Sequence, residues 1–238
     1  MTKTKLADHC RKVVAEGPDT EKPFAASVLV SNAVGWAGLT DAERKKLFLS
    51  EQQSVWRWAA LALAKNECRR ELIEWAAERP ADDHLDVVWV LLHDPPKVWP
   101  KAELKFCLAV ARLKPGSVTC KLNLLDRPVP IVFREPILAY LKREIEKPTF
   151  NDINTQSASE LFAALGVLDT WKSPDDVPLL LSYFKHPVRG EATRINGDER
   201  TEIRVYRLRS YLKSMLEARG VKVPSDIVYE EVIGPAKD

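Results

Sequence analysis

Five arginines, Arg189, Arg194, Arg200, Arg204 and Arg207, crowd a polar stretch of the C-terminal third, with Tyr211 shortly after them. The guanidinium group is a planar fork of N–H donors that matches carboxylate and phosphate oxygens, so such a cluster suits an acidic protein surface or a nucleic-acid backbone. Residues 199–219 read as one long helix stopped by Gly220. On that helix Arg200, Arg204, Arg207 and Tyr211 share one face, while Val205, Leu208, Leu212 and Met215 form another that turns inward. The plainer alternative is a solvated, ion-paired face, since Glu191, Asp198, Glu199 and Glu202 are close in sequence. Base stacking calls for more aromatic company than one tyrosine.

The histidines do not form a reactive group. His84 stands among Asp82, Asp83 and Asp86, which suggests a metal or an acid–base pair, but Asp82 and Asp83 are natural helix-start residues and His84 and Asp86 diverge on a helix. His93-Asp94 precedes two prolines and His186 precedes Pro187, both turn settings. Seven tryptophans offer another kind of site, because aromatic side chains anchor protein contacts. Trp58, Trp75 and Trp89 lie within apolar helical stripes and are expected in the core, with Trp36 and Trp56 also available to it. Trp99 and Trp171 stand at element ends and are the ones expected to reach a partner.

Motifs for catalysis are missing from the sequence. It holds no Gly-x-Ser-x-Gly elbow, no phosphate loop ending in Lys-Ser or Lys-Thr, no His-Glu-x-x-His and no dinucleotide fingerprint. No catalytic residue, metal site or cofactor is assigned. The four cysteines, Cys10, Cys68, Cys107 and Cys120, are far apart with no zinc-ligand spacing and read as reduced thiols, Cys68 and Cys107 inside helical patterns. A formal net charge of +2, from 36 basic and 34 acidic side chains, creates no whole-molecule field for nucleic acid or anionic lipid. The polar first residues lack an apolar leader, and the longest apolar run, 58–64, is far short of the roughly 20 residues that span a membrane. A soluble, cytoplasmic protein is expected.

The elements that would carry these residues are helices. Residues 3–16 form an amphipathic opening helix ended by Gly17-Pro18, and Thr40-Asp41-Ala42-Glu43 spells a capping box for the next. An apolar stripe continues from Leu47 to Leu63, with Ser50 or Asn66 as breaks, and further helices read over 67–78, 82–92, 101–113 and 135–146. Pro95-Pro96 marks the clearest internal boundary. Between Pro115 and Phe133 the pattern changes, because Val118, Cys120, Leu122 and Leu124 alternate, as do Val129, Ile131 and Phe133. A small β-hairpin over 117–133 fits that alternation, although Pro128 and Pro130 would hold its second arm at an edge or leave it a loop. Helices resume over 157–168 and 177–185, the latter after Ser173-Pro174-Asp175-Asp176.

Read together, the alanine-rich segment from Ala158, the run Ser173-Pro174-Asp175-Asp176-Val177-Pro178-Leu179-Leu180-Leu181, His186-Pro187 and Ile203-Arg204-Val205 resemble a HEAT-like repeat. The resemblance covers residues 158–220, and the polar insertion 188–198 departs from the short turn of that family. It implies an irregular α-solenoid, with a helical bundle as the alternative and an all-α fold in both cases. The expected divisions are an N-terminal helical region 1–95, a mixed segment 96–150, the HEAT-like region 151–222 and a tail 223–238, all in one continuous domain. The function that follows is a protein–protein interaction scaffold, its partner held by Arg189, Arg194, Arg200, Arg204, Arg207, Tyr211, Trp99 and Trp171. The alternatives are a nucleic-acid-binding accessory protein using the same arginines, or an enzyme without a recognised motif.

Overall fold

Local punctuation sets most of the helix ends. In the computed structural model, which describes residues 2–33, 35–65, 68–93, 95–196 and 199–235, Lys3–Glu16 forms α1, capped by the Thr2 hydroxyl and ended at Gly17. Helix α2, Lys22–Val28, leads through a π-helical turn at Leu29–Ala33 and a short turn at Trp36–Gly38 to α3, Asp41–Phe48. The capping box that starts α3 is complete: Thr40 Oγ1 accepts from the Glu43 amide at 3.2 Å, and Glu43 Oε2 accepts from the Thr40 amide at 2.8 Å. Then come α4, Gln53–Lys65; α5, Arg69–Ala76; α6, His84–His93; and α7, Lys101–Leu113. The alternative break at Asn66, the turn residue Asp94 and the acidic Asp198 lie outside the described residues.

The chain divides into two compact units, residues 1–110 and 111–238, and the division passes through α7. The first is held by buried Phe48, Val55, Trp56, Leu63, Leu72 and Leu91, each worth about 2 kcal/mol of burial. Two arginines work inside it. Arg79, 6% exposed, donates to the carbonyls of Phe48 and Ser50 at 2.6 and 3.1 Å, pairs with Asp83 at 2.9 Å and lies 4.3 Å over the Trp56 ring. Arg69 grips the buried Glu103 with two bonds of 2.7 and 2.8 Å, and so ties α5 to α7.

In the second unit α8 is Pro115–Leu122, α9 Arg134–Glu146, α10 Gln156–Trp171, α11 Val177–Ser182 and α12 Arg207–Glu217. The hairpin expected over 117–133 is absent. Val118 and Leu122 lie one helical turn apart as well as in alternation, and the buried contact is the helical one. Pro115 opens α8 at the position where its missing amide costs nothing, and Ile131–Phe133 is a single 3-10 turn feeding α9. Helix α10 packs along α8 and touches α9.

A second correction falls on the expected helix 199–219. Its first part is extended: Gly190–Asn196 and Glu199–Val205 are antiparallel strands β1 and β2, and Glu230–Pro235 adds β3 on the other side of β2. The chain is thus mostly helical with a small three-stranded sheet. Among the described residues, no helix is long and apolar enough to cross a membrane.

Candidate functional site

The aromatic residues that reach solvent are not the ones expected to. Helix α4 buries Val55, Trp56, Ala59, Ala60, Ala62 and Leu63 on one broad face, which turns Trp58 outward, 42% exposed, one turn before Leu61. Helix α6 buries Val87, Val88, Val90, Leu91 and Leu92, which leaves Trp89 39% exposed. Trp58 and Trp89 sit in apolar runs, and a helix of alternating large residues cannot bury all of them on one side. The core position falls to Trp56, at 1% exposure.

Polar bonds hold the two helices side by side. Arg57 Nη2 donates to both Asp86 oxygens at 2.7 Å, and Gln53 Nε2 donates to Asp86 Oδ2 at 3.0 Å. A turn further on, Arg57, Leu61, Asp86, Trp89, Val90 and His93 line a cleft of about 320 Å³. Asp86 lies level with Gln53 and Arg57, and Leu61, a turn further along α4, shares the cleft with Trp89, Val90 and His93 further along α6, so the two helices run in the same direction with a groove between them. Its floor is apolar and its exposed charge is Arg57, whose side chain is 45% exposed while that of Asp86 is 17% exposed. A groove of this kind can take apolar side chains out of water.

The expected arginine face is dispersed. Arg200 and Arg204 lie on β2 and point to one side of the sheet, whereas Arg194, in register with Thr201, points to the other. Arg204 is flanked by its register partners Glu191 and Glu231 and pairs with Glu231 at 3.1 Å. Arg194 forms an ion pair with Glu230. Arg189 lies before β1, where its backbone bonds with Asn151 and Ile153, and Arg207 is the exposed first residue of α12. Tyr211 faces α10, its ring 5.7 Å from that of Phe162, and burial raises its pKa. Trp171 is half-buried and donates its Nε1 proton to the Val129 carbonyl at 3.0 Å; Trp99 is half-buried in the first unit. The spacing at 200, 204 and 207 is helical only if 199–205 is a helix. The contrary signal was present: Asn196-Gly197 between alternating segments is a strong hairpin mark.

Other reactive residue types are engaged in the fold. His84 Nε2 bonds the Ala76 carbonyl at 2.9 Å. Burial beside Glu103 pushes the Cys107 thiol up to about 12, which suppresses the thiolate. All four cysteines are free, and among the described residues no three His, Cys, Asp or Glu side chains are placed to hold a metal ion. The chain matches no protein-family model, and neither a curated protein nor a solved structure gives a match from which a relationship could be drawn.

Proposed function

We propose that this chain is a protein-binding helical scaffold of the HEAT-like kind and that it docks its partner on the α4–α6 face. The observation that carries this reading is Trp89, 39% exposed on the rim of a groove that Leu61 and Val90 also line. Tryptophan at such a site is where binding energy concentrates, and truncating one costs about 2 kcal/mol or more. Supporting it, α4, α5 and α6 each touch the next while α4 also touches α6, as helical hairpins do when they stack. The test is capture from native extract on the wild type and on a Trp89→Ser variant of unchanged melting temperature. A partner retained by the first and lost by the second supports the reading; a set of retained proteins indifferent to the variant ends it.

Nucleic-acid binding is kept as a second reading because Arg200 and Arg207 are exposed without an ion pair among the described residues. The acidic flanks of Arg204 weigh against it. Its signature is retention that nuclease abolishes, that falls steeply with salt, and that a variant with Arg200, Arg204 and Arg207 replaced by Glu loses.

A further inference from the structure

Resting on the docking face just proposed, we infer that the partner enters the α4–α6 groove as an amphipathic α-helix and places a carboxylate against Arg57. The walls of the groove dictate the secondary structure of what fills it. Between Arg57 and Leu61 on α4, and along the facing turn of α6, the backbone amides and carbonyls are consumed within the helices themselves. An extended peptide laid against Leu61, Trp89 and Val90 would bring unpaired backbone groups onto apolar side chains. A helix satisfies its backbone internally and presents side chains alone.

The shape agrees. Two helices running in the same direction leave a furrow parallel to both, into which the side-chain ridge of a third helix fits. Along α6 the lining runs from Asp86 to His93, about 10 Å at 1.5 Å per residue, enough for anchors at i, i+4 and i+7.

Charge selects among helices. Arg57 is bound to Asp86 through one terminal nitrogen, Nη2, so its Nε and Nη1 remain available to donate, while Asp86 already accepts from both Arg57 and Gln53. The remaining titratable lining residue, His93, is exposed at the end of α6. A carboxylate can therefore accept from the remaining Arg57 donors, which an ammonium, having no acceptor, cannot do.

The experiment uses the full 238-residue chain and displayed 16-residue peptides. In one library three positions at i, i+4 and i+7 vary among Leu, Ile, Met, Phe and Trp on a helix-forming frame, with a flanking residue fixed as Glu or as Lys; in a second, two central prolines forbid the helix. Selection on the wild type should enrich Glu-flanked helices that bind at least tenfold more weakly to Leu61→Glu and to Trp89→Ser, whose exposed position spares the fold. Arg57→Glu should reverse the preference to Lys. Enrichment of the proline library alone, equal enrichment of both flanks, or no enrichment at all overturns the inference, as does self-association that Leu61→Glu abolishes, which would assign the groove to a second copy. If extract partners require Trp89 while no helix is enriched, the helical partner fails and the docking face stands; if they do not require it, the docking face itself fails.

Discussion

His186 Nδ1 accepts a hydrogen bond from the Val188 amide at 3.2 Å, and this bond holds the turn that delivers the chain into β1. The ring is 4% exposed, between Phe150 and Tyr183, with its Nε2 unpaired among the described residues. Immediately beyond, the Arg189 amide donates to the Asn151 carbonyl at 2.8 Å and the Ile153 amide to the Arg189 carbonyl at 3.0 Å. Protonating Nδ1 would set two donors against each other.

A pH dependence follows from that bond. Burial lowers the pKa of His186, and the nearby carboxylate of Glu144 offsets only part of this. The folded state therefore binds the proton less readily than the unfolded chain, whose histidine titrates near about 6.5. The stabilisation is complete above that pH and is lost as pH falls below it. Urea midpoints at pH 7.5 and 5.5 should drop further for the wild type than for His186→Asn, whose amide oxygen keeps an acceptor near the Nδ1 position and does not titrate. Equal drops would refute it.

Gly116→Ala should destabilise, although alanine in a helix ordinarily gains about 1 kcal/mol over glycine. A Cβ at Gly116 would meet the Glu160 carboxylate and lie 3.0 Å from the Glu160 Cβ. Relief requires Glu160 to leave the Ser117 hydroxyl that donates to it at 2.7 Å. The net loss should be about 1–2 kcal/mol, read as a lower urea midpoint with unchanged slope.

Arg79→Ala should cost about 3 kcal/mol, because it strands the Phe48 and Ser50 carbonyls and the half-buried Asp83 together. Arg79→Lys should recover little of this, since a single ammonium cannot reproduce the planar fork over the Trp56 ring. Denaturant titration of the two variants decides between lost charge and lost geometry.

Thiol labelling should separate the cysteines. Cys10 and Cys107 are buried with raised pKa values, so a chromogenic disulfide at pH 8 should leave both unmodified in the native state and react with all four after unfolding. Rapid native labelling of Cys107 would contradict its packing.

What was legible in the sequence is what the chain decides over a few residues. The opening helix ends at Gly17 as its stripe predicts, and Thr40 and Glu43 cap α3 from within four positions. Helices α7 and α9 fall within a residue of their periodic segments. Over 199–205 such reasoning fails, because charged residues at 200, 202 and 204 alternate with Thr201, Ile203 and Val205 while Arg200 and Arg204 also satisfy helical spacing. Seven residues are too few to separate a period of 2 from one of 3.6.

By itself, the sequence determined a mostly helical chain, its main helix boundaries and the absence of recognised catalytic motifs, since stripes, caps and motifs are local. Only the tertiary structure decided that β3 joins the other edge of β2, and that Trp56 is core while Trp58 and Trp89 face outward. The reason is physical: burial depends on which neighbours cover a face. Those neighbours arrive from distant positions, as Asp86 does at Arg57, 29 residues away.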